Sequence, residues 1–153
     1  MNRTVLAAIM ALALTSLPAW AYDYSVNGLR ITHPWTRATA AAGASAVGYL
    51  SITNTGTTAD SLIGASCPIA KSTEIHQNMD MAGVMKMRPV KAITLPPGKT
   101  VQLKPGGLHL MLIGTRFRLD PGGTIPCTLN FTHAGPTQVM LTVEKPGATK
   151  PAN

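Results

Sequence analysis

The chain has 153 residues, with 13 Lys and Arg against 6 Asp and Glu, 14 glycines, 12 prolines, two cysteines and only 5% aromatics. That length holds one domain with a single core, and the Gly and Pro content favours short strands joined by turns over long helices. The formal charge of +7 contains no basic run interleaved with aromatics. This argues against nucleic-acid binding and leaves either simple solubility or docking on an acidic partner.

In chain order, Arg3 and the apolar run "VLAAIMALALTSL" (5–17) precede "AWA" (19–21), a small-x-small cleavage pattern. The apolar run is short for a membrane span, so residues 1–21 read as a cleaved secretory signal peptide. No stable membrane insertion is expected. The mature chain then carries twelve basic residues against six acidic ones. Export places Cys67 and Cys127 in an oxidising compartment, and they do not form a CxxC pair.

Short strand-like runs follow at 28–37, 46–56, 60–70, 71–78, 84–95, 99–107, 108–115, 124–133 and 137–145. "NTG", "LPPGK", "KPGG", "LDPGG" and "HAGP" punctuate them with turn residues. Strands at this spacing predict an all-β chain, an antiparallel β-sandwich over residues 22–145. The tail 146–153 is expected to be flexible.

Alternate side chains of a strand face opposite sides. In "LHLML" (108–112), Leu108, Leu110 and Leu112 therefore face the core, while His109 and Met111 face outward. By the same rule Ile75 points inward and His76 outward. Cys127 aligns with Ile125, Leu129 and Phe131, and Cys67 with Ile63, Ala65 and Ile69. Two inward cysteines on separate strands allow a disulfide across the sandwich or two buried thiols.

His76, Met87, His109 and Met111 thus form an outward set of two imidazoles and two thioethers. Thioether sulfur suits Cu(I) and matches Zn²⁺, Mg²⁺ or Ca²⁺ poorly; neutral imidazole also binds Cu(I). With no thiolate and no carboxylate in the set, Cu(I) is favoured over Cu(II). Met79, Met81 and Met85 are spare thioethers, the first two expected in an exposed loop. Parity puts Met85 on the face of Met87. His33, before Pro34 in an extended segment, and His133 are expected to play no part. A blue-copper alternative would draw on Cys127, His133 and Met140, but their spacing is long for one ligand loop. There is no nucleophile motif or carboxylate pair to suggest an enzyme.

His76, Met87, His109 and Met111 fall in the pattern H-x10-M-x21-H-x-M. Together with "PWTRAT" (34–39), "GYLSITNTG" (48–56), "AGVMKMRPV" (82–90) and "LKPGGLHLML" (103–112), this resembles the PCuAC family of periplasmic copper chaperones over nearly the whole mature chain. The choice of Met87 over Met85 rests on that spacing. The resemblance implies a cupredoxin-like Greek-key β-sandwich that acts in the periplasm as a monomer and binds one Cu(I). It further implies delivery to apo cytochrome c oxidase subunit II or another copper-transfer protein. Copper storage or resistance would use the same ligands. Two features depart from the family. Gln77 stands where some relatives have a methionine, and the C-terminus lacks a His/Met-rich tail.

Overall fold

The computed structural model describes residues 22–152, so the expected signal peptide at 1–21 lies outside the described residues. Eleven strands are present: β1 Tyr24–Val26, β2 Leu29–Arg37, β3 Ala46–Asn54, β4 Asp60–Ser66, β5 Ala70–Met81, β6 Val84–Pro89, β7 Ile93–Leu95, β8 Thr100–Leu103, β9 Leu108–Thr115, β10 Thr124–Phe131 and β11 Gly135–Glu144. They pair in the order β6-β5-β9-β3-β2-β11-β10-β4-β7, with β1 added to β2 and β8 to β3. β4 packs against β5, and β7 against β3, so the ladder folds back on itself as the expected cupredoxin-like β-sandwich. All pairs are antiparallel except β2–β11, which run parallel from Trp35–Thr142 to Arg37–Glu144.

The core forms where parity places it on β9 and β10. Leu110, Leu112 and Leu129 are fully buried, and Ile125, Cys127 and Phe131 nearly so. Leu108, at the strand's start, is only half-buried. On β4 the parity reading fails. Leu62 is buried, whereas Ile63 is 51% exposed. The cause is a register shift: Asn130 pairs Gly64, but Phe131 pairs Leu62, so Ile63 is an extra residue that switches the alternation.

Cys67 and Cys127 are joined. The bond links neighbouring strands rather than crossing the sandwich, because Ser66 pairs Thr128 in the β4–β10 ladder. It closes a loop of 60 residues, worth about 4 kcal/mol in the chain-entropy model. The tail lies back on the sandwich through two hydrogen bonds: Arg37 Nε donates to Ala148 O at 2.7 Å, and Ala152 N donates to Glu144 Oε1 at 3.1 Å. His33 is not simply extended; it has φ +51° at the β2 bulge between Thr32 and Trp35.

Candidate metal centre

Met79 and Met81 do not lie in a loop. β5 and β6 form a hairpin in which His76 pairs Pro89, Asn78 pairs Met87 and Asp80 pairs Met85. Ala82 and Gly83 make its turn, both with positive φ (+56° and +82°), as a type I′ hairpin requires. Asp80 Oδ1 fastens the turn by accepting Gly83 N–H at 2.7 Å. Met79 and Met81 therefore belong to a strand, and parity sets them on the side away from His76. Met85 shares the face of Met87, as expected. Gln77 alternates to the opposite side as well, so no donor at that position would join this face.

On the hairpin's other flank, β5 pairs β9 with His76 opposite His109 and Glu74 opposite Met111. His76, Met87, His109 and Met111 consequently occupy one face of three adjacent strands. The imidazole rings lie 5.9 Å apart between centroids, edge to face at 61°. The structure brings the four predicted residues onto one surface, but they are not equivalent within it.

His109 is 2% exposed, so facing away from the leucines does not leave it open to solvent, contrary to the expectation of an outward side chain. The sheet face away from the leucines is itself covered. Val47 pairs Met111 and Gly48 pairs Leu110, so one step on, Tyr49 stands in line with His109. Tyr49 is buried against Trp35, with ring centroids 4.6 Å apart, and Arg37 lies over the Tyr49 ring at 5.5 Å. Met111 is half-buried, whereas Met87 on the edge strand is 49% exposed and Met85 59%.

Each imidazole has one hydrogen-bonded nitrogen. His109 Nδ1 lies 3.0 Å from Gly107 O, and His76 Nε2 lies 2.8 Å from Glu74 Oε2. The remaining nitrogens, His109 Nε2 and His76 Nδ1, are buried and have no partner. An unpaired buried polar atom costs about 1–3 kcal/mol, and here two lie on facing residues. Burial drives the His109 pKa below its usual value; the Gly107 bond opposes this, and nearby His76 adds to it. His109 is thus neutral at pH 7, with its free lone pair available as a donor.

Sequence reasoning missed Glu74. A carboxylate does belong to the site, held against His76, and the signal for it was the E-x-H spacing that puts both residues on one face of a strand. No group of three His, Cys, Asp or Glu that could hold a metal is present among the described residues. The blue-copper alternative fails because Cys127 has no free thiolate.

Known proteins resemble this chain in sequence and fold. The putative lipoprotein Lxx21020 of Leifsonia xyli subsp. xyli is 30% identical over 151 residues, covering 94% of this chain and 89% of the relative. The copper-bound PCuAC domain of PmoF2 superposes with a TM-score of 0.68 at 31% identity, covering 82% of this chain and 99% of the domain. The Cu(I) form of DR1885 from Deinococcus radiodurans gives 0.55 at 27% identity, covering 82% of each chain. The fold is that of PCuAC domains, and the family model described as "Putative lipoprotein LpqE-like" matches residues 29–143. The chain belongs to the LpqE-like family.

Proposed function

We propose that this protein is an exported copper-binding metallochaperone that carries one Cu(I) per monomer on His76, His109, Met111 and Met87. The observation that carries the reading is the pair of buried, unpartnered imidazole nitrogens on the same face as two thioethers. Two neutral nitrogens and two neutral sulfurs suit a soft monovalent ion. The copper-bound PmoF2 domain and Cu(I)-DR1885 support the reading by their likeness in fold.

Delivery to the copper centre of a respiratory cytochrome c oxidase, through apo subunit II or another copper-transfer protein, is the proposed role in the periplasm. The uneven exposure of the ligands supports transfer rather than storage. The thioether side opens onto an edge strand exposed along its whole length, where an incoming ligand can reach the metal. The test has two arms. Competition with a Cu(I) chelator should show one tight site in the wild type, strongly weakened in His109→Ala and Met111→Leu; unchanged binding in both variants would overturn the site. Mixing the Cu(I)-loaded protein with an apo subunit II copper domain should move the metal, and retention of all copper would point to storage instead.

A further inference from the structure

We infer that Glu74 is a positioning residue: it holds the proton of His76 on Nε2 and so presents Nδ1 as the copper-binding nitrogen, in the opposite tautomer to His109. The inference rests on the copper reading for its purpose, but the proton assignment stands on hydrogen-bond chemistry alone. A backbone carbonyl can only accept, so the His109 nitrogen facing Gly107 O carries the hydrogen, and Nε2 keeps the lone pair. An ionised carboxylate also only accepts, so the His76 nitrogen 2.8 Å from Glu74 carries the hydrogen, and Nδ1 keeps the lone pair. The two lone pairs assigned this way are the two nitrogens left buried without a partner. With one nitrogen of each ring engaged, the free nitrogen is fixed, and the structure adds that both free nitrogens are buried.

Strand geometry explains why Glu74 can do this. It precedes His76 by two residues on β5, so both side chains leave the same face, and it sits opposite Met111 on β9. His76 is held between a carboxylate along its own strand and the His109 ring across the ladder. The Glu74 side chain is 45% exposed and that of His76 13%, so the carboxylate stays hydrated while the ring it orients is nearly sealed. A hydrogen-bonded carboxylate behind a ligating histidine fixes the ring's tautomer and orientation. It also places a negative charge beside a ligand set that otherwise contains none.

The test uses Glu74→Gln, which keeps an acceptor and removes the charge, and Glu74→Leu, which removes both. Long-range ¹H–¹⁵N correlation spectra of the metal-free protein at about pH 8, above the ordinary imidazole range, read each tautomer without copper. In the wild type His76 should carry its proton on Nε2 and His109 on Nδ1. Glu74→Gln should keep that pattern, while in Glu74→Leu the two His76 nitrogen shifts should move towards an exchange average with His109 unchanged. Chelator competition should show Cu(I) binding about 10–100-fold weaker in Glu74→Leu, as for other partners of metal-binding histidines. Glu74→Gln should stay within about fivefold, because a half-exposed charge contributes little. A proton on His76 Nδ1 in the wild type, or a Glu74→Leu protein matching wild type in spectrum and affinity, would overturn the inference. If the wild type binds no Cu(I), the copper reading fails, and the spectra alone decide the role of Glu74.

Discussion

The two sides of the ligand set differ in how they are built. The nitrogen side stands on β5 and β9, paired strands within the sheet, with His109 buried and each ring held through one nitrogen. Much of the sulfur side stands on β6, an edge strand whose six residues are all exposed, and Met111 lies between the two in burial. If the proposed site binds copper, a rigid nitrogen half would lower the ordering cost of binding, and an exposed thioether half would give an acceptor a route to the metal. On the proposed function, holding and release would fall to different strands. A third region, the β4–β10 ladder with its disulfide, packs on β5 and contributes none of the four proposed ligands.

The largest expected effect separates fold from site. Replacing both Cys67 and Cys127 with Ala should lower the unfolding free energy by about 4 kcal/mol in the chain-entropy model, measured by denaturant titration. Cu(I) affinity of the remaining folded protein should be unchanged. A weakened copper site in that variant would show that the two regions are coupled.

His109→Leu should invert that result. It should weaken Cu(I) binding by at least about a hundredfold, or roughly 2.7 kcal/mol, yet leave the metal-free protein as stable as the wild type or more so. The leucine removes a buried nitrogen without a partner, and Gly107 O still accepts the Asn78 N–H at 3.2 Å. Functional residues commonly trade stability in this way. A large drop in melting temperature would mean that His109 is there for packing.

How legible these regions are in the sequence follows from what burial writes into it. On β9 and β10 one face meets the core, so alternation is imposed and Leu110, Leu112, Cys127 and Leu129 can be read directly. The tip of the β5–β6 hairpin is exposed on both faces, so no alternation marks Met79 and Met81 as strand, and they read as a loop. Ile63 misleads because a bulge leaves no trace in residue types. The burial of His109 is hidden for a different reason. Parity gives the face of a side chain but not what else lies on that face, and the buried Tyr49–Trp35 pair comes from strands distant in sequence. Glu74 was readable from E-x-H but only once a histidine's second nitrogen is asked for its partner.

Methionine substitutions sharpen the contrast within the site. Met111→Leu, on the inner strand, should weaken Cu(I) binding more than Met87→Leu, with the former costing about tenfold. Met85 stands two residues from Met87 on the same face and can take over its role, so Met87→Leu should lose only a few-fold. The double variant Met85→Leu/Met87→Leu should then match or exceed the loss at Met111. Equal losses in both single variants would mean that the strands share the sulfur duty evenly. His33→Ala and His133→Ala should bind as the wild type does.

The smallest effect is a slope. Burial holds the folded His109 pKa below the unfolded value of about 6.5. The unfolded chain therefore binds the extra proton first as pH falls. Stability from this residue is intact above about 6.5 and is lost on acidification below it, by at most about 1.4 kcal/mol per pH unit. Asp60 does not obscure this window. Burial alone would raise its pKa, but backbone N–H donors of His133, Ser61 and Ala134 together hold it below the usual carboxylate value. Its contribution is complete above about pH 4 and is lost only as pH falls through the lower folded value. Unfolding free energies of the metal-free wild type at pH 7.5 and 5.5 should thus differ more than those of His109→Leu. Saturating Cu(I) should steepen the wild-type dependence, because protons and copper compete for the same imidazole nitrogens and binding stabilises only the folded state. Identical slopes in the two metal-free proteins would mean that the imidazole is as easily protonated in the fold as outside it, and the dry nitrogen half would have to be given up.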